Sequence, residues 1–165
     1  MGSPSDELLK TNFYCYLTIQ RGFKIHQNLS ILQGLLAQEE CRGALRALTR
    51  YHICQIHFIE DVAACGSECE ELVGEFIGSY HMLKEHAARS PSEEEQLVLL
   101  QYILYYCLLL LGYLRAQQGR QQESQNYIAA SNHLLKINNQ SSASITASNT
   151  RTKSADGKPR ANATL

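Results

Sequence analysis

Apolar side chains recur every three or four residues along most of the chain, from residue 6 to about residue 137. This spacing places them on one face of an α-helix, whereas a half-buried strand would alternate apolar and polar residues. The three prolines, Pro4, Pro91 and Pro159, lie outside the apolar segments, so no proline interrupts a helix between the first two. The pattern therefore predicts an all-α domain over residues 1–137, built of about five helices.

The first predicted helix extends from Asp6 to about His26 and carries Leu9, Phe13 and Leu17 on one face. Within it, the segment FYCYLTI could instead be a strand, because aromatic and β-branched residues crowd there. No other segment indicates a partner strand, so the helical spacing decides the interpretation.

Short motifs predict where the later helices begin and end. Gly66 is expected to end one helix, and Ser67 with Glu70 three residues later forms a capping box that would open the next. Ser90 followed by Pro91 is a second start signal, because serine caps a helix N-terminus and proline suits its first position.

The stretch from Leu97 to Leu114 is eighteen residues long, and Gln101 is its only non-aromatic polar side chain. That length lies at the lower limit for a helix that crosses a bilayer. Its tyrosines lie mostly toward the middle of the run instead of at both ends, unlike the aromatic belts of membrane spans. The stretch also follows a capped, acidic start. We therefore interpret it as a central core helix and expect no membrane association.

The composition, 44% hydrophobic and 19% charged, is that of a globular protein. Residues 136–165 contain five basic residues and one acidic residue, so the first 135 residues hold 10 basic and 15 acidic ones. An acidic body excludes a broad basic platform for nucleic acid. Residues 138–165, rich in Ser, Thr and Asn, are predicted to form a disordered basic tail.

The six cysteines lie mainly inside apolar helical patterns, and the first residues do not resemble a signal peptide. We interpret the cysteines as reduced, buried thiols of an intracellular protein, cytoplasmic or nuclear. A lowered thiol pKa at Cys69, near the helix start expected at Ser67, is the alternative for that residue.

One segment, residues 108–135, resembles a tetratricopeptide repeat. The match consists of a Leu-Gly pair near the end of a first helix, a turn glycine seven residues later, and small, large and small residues on a second helix. The matching residues are Leu108, Leu111, Gly112, Gly119, Ser124, Ile128 and Ser131. The segment departs from the family at Arg115, where an aromatic residue is usual, and it lacks the closing proline. The resemblance implies antiparallel helical hairpins that form a bundle or a short superhelix.

In that family the first helix of each hairpin lines a concave surface. The resemblance therefore implies a partner-binding groove at Tyr106, Leu109, Tyr113 and Gln117. The same rings could instead fill the core between hairpins, and the sequence leaves both interpretations open. The groove lacks the lysines and asparagines that would clamp a terminal carboxylate, so an apolar or amphipathic segment is the expected ligand.

The most reactive-looking cluster is His57, Glu60 and Asp61, which could share a metal ion on one side of a helix. Carboxylate-bridged metal bundles use the spacing Glu-x-x-His twice, whereas here the order is reversed and occurs once. No catalytic motif, phosphate-binding loop or cofactor signature is present, so we expect no catalytic residue, metal or cofactor. The sequence predicts a non-enzymatic scaffold subunit that binds a protein or peptide partner, with a second copy of the chain as a further candidate partner. A small helical metalloprotein or enzyme centred on His57 is the alternative.

Overall fold

A computed structural model describes residues 3–22 and 24–135, and within them it has six helices and no strand. The expected number of about five was therefore too low. The helices are α1 (Pro4–Gln20), α2 (Ile25–Leu36), α3 (Gly43–Glu60), α4 (Val62–Glu85), α5 (Pro91–Gln117) and α6 (residues 121–135). The predicted tail, and its boundary at residue 138, lie outside the described residues.

The first helix is shorter than predicted because the backbone turns before His26. α1 ends at Gln20, after which Gly22 adopts a φ of 66° and Lys24 a φ of 52°. Both values lie in the left-handed region, which ends a right-handed helix. At its other end, α1 begins with a capping box in which the Ser3 hydroxyl accepts from the Asp6 amide at 3.2 Å.

The break between α3 and α4 lies at Asp61, five residues before the predicted stop at Gly66. The Asp61 carboxylate accepts a hydrogen bond from the Ala64 amide at 3.2 Å and so caps α4. The predicted capping box at Ser67 is therefore wrong, because that residue lies inside α4. Gly66 is buried there, and a Cβ atom at this position would lie 3.7 Å from Leu114 of α5.

The predicted start of α5 is confirmed. The Ser90 hydroxyl accepts from the Glu93 amide at 3.2 Å, and Pro91 occupies the first turn. α5 is the one described helix long and apolar enough to cross a membrane, and 44% of its most apolar 18-residue window is buried. We expected a core helix covered on all sides, whereas the stretch is a half-buried helix.

The most central helix of the described residues is α3, which packs against α1, α2, α4 and α5. Its side toward α1 and α2 contributes to an apolar core with Leu8, Cys15, Ile19, Leu32 and Leu35. α4 and α5, which also pack against α3, carry most of the largest fully buried apolar side chains. Those side chains are Leu72, Tyr80, Leu100, Ile103, Leu104 and Leu111.

α5 and α6 approach closely at Gly112, as the sequence pattern predicts. A Cβ atom on Gly112 would lie 2.9 Å from Cγ1 of Ile128 and 3.3 Å from the carbonyl oxygen of Ser124. Ser124 and Ser131 are both buried. Gly119 adopts a φ of 75° in the turn between the helices, a conformation that glycine adopts without strain. This local geometry belongs to the compact unit that ends at Ser131.

Candidate functional site

The exposed large apolar side chains are concentrated on α1 and α5. A monomeric protein usually exposes such side chains singly, and a contiguous group of them marks a binding surface. The two helices carry eight of the fourteen described side chains of this kind, namely Leu9, Phe13, Tyr14, Leu17, Val98, Tyr102, Tyr106 and Tyr113. The face of α1 that the sequence pattern selected is therefore exposed, while Leu8, Asn12, Cys15 and Ile19 form its buried face.

Aromatic rings connect α1 to α5 across α3. The Tyr16 ring on α1 lies 5.6 Å from the ring of His52 on α3, measured between centroids. His52 lies 5.9 Å from Tyr51, which in turn lies 6.3 Å from Tyr102 on α5. Tyr102 then contacts Tyr106 at 4.8 Å. Contacts at these distances are favourable between aromatic rings, so this surface has a continuous aromatic floor.

An open groove of about 470 Å³ lies where the C-terminal part of α1 and the middle of α5 flank α3. Of the predicted groove residues, Tyr106 and Leu109 line it. Its floor includes Gln55, whose Nε2 donates to the Tyr51 hydroxyl at 3.1 Å. The Gln55 Oε1 atom is buried and has no hydrogen-bond partner among the described residues. The rest of the lining is almost entirely apolar or aromatic. It consists of Ile19, Gln20, Tyr51, Phe58, Ile59 and Leu110.

The other two predicted groove residues lie further along α5. Tyr113 is 52% exposed, and its ring lies 6.1 Å from that of Phe58, which lines the groove. Tyr113 therefore extends the same aromatic surface. Gln117 is exposed in the last turn of α5, away from the groove lining. The exposed halves of Tyr106 and Tyr113 favour the groove interpretation over a core position.

A second cavity, of about 730 Å³, lies at the opposite end of the same three helices. Its lining comes from the N-terminal parts of α1, α3 and α5 and from Glu40 and Arg42, which precede α3, so these three helices run side by side in the same direction. Leu9 and Leu99 contribute apolar surface, while Asp6, Glu40 and Glu95 contribute carboxylates. A smaller cavity shares Glu95 and Leu99 and continues to Tyr102. The surface thus changes from acidic at this end to uncharged at the other.

A buried polar network holds α1 against α3 beneath the aromatic floor. The Asn12 side chain donates to the carbonyl of Leu8 and to the hydroxyl of Thr49, each at 3.0 Å. Nδ1 of His52 lies 3.0 Å from the Asn12 carbonyl oxygen. Because that oxygen can only accept, His52 must donate from Nδ1. Burial lowers the pKa of His52 to about 4, so the ring is neutral at pH 7.

The side chains of His57, Glu60 and Asp61, which the alternative interpretation of the sequence brings together, do not converge in the structure. Nδ1 of His57 pairs with the Glu68 carboxylate at 2.5 Å. Glu60 pairs with Nε2 of His26 at 3.4 Å, and Asp61 caps α4. The helix break at Asp61 directs the three side chains to different partners. Among the described residues, no group of three His, Cys, Asp or Glu side chains is placed to hold a metal ion.

Four cysteines meet between α3, α4 and α5, and all six cysteines of the chain are buried and unpaired. Cys69 forms thiol hydrogen bonds with Cys107, Cys54 and Cys65, which favour its ionisation over theirs. The same bonds, together with burial, raise the pKa of the other three thiols. The cause is therefore the thiol cluster and not a helix N-terminus, since Cys69 lies well inside α4. All six cysteines are buried thiols, as predicted.

Of the residues that line the groove, the sequence pattern singled out Tyr106 and Leu109 on α5 and none on α1 or α3. The sequence of α1 has two faces that could be buried. One is the apolar stripe of Leu9, Phe13 and Leu17, and the other contains Asn12. Nothing local indicated that Asn12 would be buried, because its partners Thr49 and His52 lie on α3. The acidic end was also missed, since Asp6, Glu40 and Glu95 are far apart in the sequence. The chain matches no family model, no curated protein and no solved structure.

Proposed function

We propose that this protein is a non-enzymatic interaction module that binds an apolar or amphipathic segment of a partner protein. The observation that carries the proposal is the exposed aromatic surface of α5, formed by Tyr102, Tyr106 and Tyr113, above the groove on α3. Tyrosine suits such a surface because its ring offers a broad apolar face and its hydroxyl stays satisfied in water. Rigid aromatic residues also dominate the energetics of protein interfaces.

We further propose that the helices form three stacked hairpins of the tetratricopeptide type, α1–α2, α3–α4 and α5–α6. α1 packs against α2 and α3, and α3 packs against α4 and α5. α2 packs against α3, and α4 against α5. Stacked hairpins make contacts of this kind, because each unit covers the apolar face of the next. In this arrangement α1, α3 and α5 line the concave side.

The departure at Arg115 is compatible with this proposal. Its guanidinium forms ion pairs with Glu70 of α4 and, at 3.4 Å, with Glu123 of α6. The side chain is 9% exposed and connects the helices where the family usually has an aromatic residue. A buried, paired arginine can therefore take the place of a packing residue at this position.

The proposal is tested by replacing two groove rings and asking whether a partner is lost. Tagged wild-type protein and the double variant Tyr106→Ala, Tyr113→Ala are used for affinity capture from cell extract, followed by quantitative mass spectrometry. Ile31→Ala is the control, because Ile31 is an exposed apolar residue of α2, at 37%, and lies outside the groove lining.

We expect at least one protein to be captured by the wild type and the control but lost with the double variant. Circular dichroism and thermal unfolding confirm that both variants stay folded. Equal recovery of every captured protein by all three forms would contradict the proposal.

A further inference from the structure

We infer that the surface formed by α1, α3 and α5 binds an amphipathic α-helix whose basic residues lie over Asp6, Glu40 and Glu95. The inference rests on the proposed function and adds the chemistry and conformation of the partner. Three features of the described residues support it: the charge gradient along the surface, the scarcity of polar groups at its uncharged end, and its dimensions.

The charge gradient along the surface predicts which end of the partner carries basic residues. The cavity at the N-terminal turns of α1, α3 and α5 is lined by Asp6, Glu40 and Glu95 and by one cation, Arg42. Among the described residues neither Glu40 nor Glu95 has a cationic side chain within ion-pair distance. The neighbouring Glu94 already has an arginine partner. Two carboxylates thus remain available, and basic residues at one end of a partner would complement them.

The uncharged end favours a partner whose backbone N–H and C=O groups are hydrogen-bonded within the partner itself. In the groove of about 470 Å³, the polar side chains besides tyrosine are Gln20 and Gln55. An extended peptide would place several N–H and C=O groups on this apolar floor, where few partners exist, at a cost in free energy. A helix bonds its N–H and C=O groups internally and presents only side chains, so it suits this surface.

The dimensions agree with a single helix. α1 and α5 both pack against α3 and not against each other. With axes about 8–10 Å apart for each packed pair, α1 and α5 lie roughly 16–20 Å apart across α3. A helix with its side chains is about 10–12 Å wide, so it can lie over α3 between them. From Glu95 to Tyr113 the surface follows α5 for about 27 Å, which corresponds to a partner helix of about 18 residues.

The test uses three designed 18-residue peptides with fluorescent labels and the full-length protein. The first has leucines at helical spacing and four lysines confined to one end. The second has glutamate in place of each lysine, and the third is the lysine peptide with two central prolines that prevent a helix. Fluorescence anisotropy measures binding at low and high salt, and circular dichroism measures the helix content of the bound peptide.

We expect the lysine peptide to bind as a helix, and the glutamate and proline peptides to bind at least tenfold more weakly. The double variant Glu40→Gln, Glu95→Gln should weaken binding of the lysine peptide by about 3- to 10-fold at low salt and less at high salt. Glu85→Gln is the control, because this exposed carboxylate at the end of α4 lies outside the cavity. It should leave the affinity unchanged.

The outcomes separate this inference from the proposed function. If lysine and glutamate peptides bind equally and both lose binding with Tyr106→Ala, Tyr113→Ala, the groove remains a binding site. The preference for a basic partner is then overturned. If the proline peptide binds as well as the others, a helical partner is overturned. If binding of the lysine peptide is insensitive to the tyrosine substitutions, both proposals fall.

Two other occupants give results of their own, and each would overturn the inference. Light scattering would reveal a dimer that dissociates when Phe13 and Tyr102 are replaced by alanine, which would assign the surface to a second copy of the chain. A tenfold gain in peptide affinity on deletion of residues 138–165 would assign the acidic end to the chain's own basic segment.

Discussion

The hydroxyl of Ser124 donates a 2.7 Å hydrogen bond to the carbonyl oxygen of Gly112, across the contact between α5 and α6. The bond is buried, and it forms only because the two backbones approach closely at a residue without a side chain. The same approach brings Ile128 onto Gly112. One glycine thus fixes the distance at which the last two helices pack.

Replacing Gly112 by alanine should separate α5 from α6. The added Cβ atom would lie 2.9 Å from Cγ1 of Ile128 and 3.3 Å from the backbone oxygen of Ser124, so the Ile128 side chain must move and the backbone at Ser124 must shift slightly. Overpacking of this kind lowers the free energy of unfolding by about 1–3 kcal/mol. Chemical denaturation followed by circular dichroism measures the change.

The matched control is Gly78→Ala. Gly78 lies inside α4, is exposed, and has nothing within 4 Å of the position its Cβ would occupy. Alanine should therefore raise the free energy of unfolding by about 0.5–1 kcal/mol, through its higher helix propensity. If Gly112→Ala lowers the free energy of unfolding no more than Gly78→Ala does, the packing role of Gly112 is wrong.

Arg115 provides a second test of how α4, α5 and α6 are held together. Arg115→Met keeps most of the apolar stem but removes the ion pairs with Glu70 and Glu123. Both carboxylates are nearly half exposed, so water can solvate them after the change, and the cost stays below that of a fully buried pair. We expect a loss of about 1–2 kcal/mol in the free energy of unfolding.

The comparison for that experiment is Arg120→Met. The Arg120 guanidinium is 51% exposed and also pairs with Glu123, so its loss should cost less than about 0.5 kcal/mol. Denaturation curves of both variants, recorded at two salt concentrations, separate the buried arginine from the exposed one. Equal losses would show that burial adds nothing to the Arg115 pairs.

The sequence predicted an all-α fold, because helical spacing and caps are local properties. The start of α5 at Ser90 and Pro91 is an example. The break between α3 and α4 was misplaced because two signals compete there. Asp61 and Ser67 are both good N-caps, and only the packing of Gly66 against Leu114 of α5 favours a helix that continues through Gly66.

The candidate site was half predictable for a related reason. The tyrosines of α5 follow from one segment and its resemblance to a repeat, whereas the α1 side depends on which of two faces is buried. The network of Asn12 with Thr49 and His52 decides that question. Those partners lie on a different helix, so the sequence of α1 alone favours burial of the apolar stripe that contains Phe13, whereas this stripe is exposed.

All six cysteines should resist modification in the folded protein. Each is at most 2% exposed, and burial and mutual hydrogen bonding raise the pKa of Cys54, Cys65 and Cys107. Only a thiolate in contact with solvent reacts quickly with a disulfide reagent. We expect no rapid reaction of native protein with 5,5′-dithiobis(2-nitrobenzoate), and reaction of all six thiols in 6 M guanidinium chloride. One fast native thiol would show that solvent reaches at least one of these buried cysteines.

The buried His52 should make the protein less stable in mild acid. Burial lowers its pKa in the folded state to about 4, against an ordinary value of 6.5 in the unfolded chain. Between those values the unfolded chain binds the extra proton, so the free energy of unfolding falls as the pH falls through this window. From pH 7 to pH 4.5 the contribution of this single residue amounts to about 2 kcal/mol.

Comparison with His52→Gln isolates that contribution from the other titrating groups. Urea denaturation at pH 7.0, 6.0, 5.2 and 4.5 should show wild type losing about 2 kcal/mol more than the variant over the range. His81→Gln serves as control, since His81 is exposed on α4, and it should follow the wild-type pH dependence. Parallel curves for wild type and His52→Gln would mean that water reaches the ring and that the contact between α1 and α3 is looser than the Asn12–His52 hydrogen bond implies.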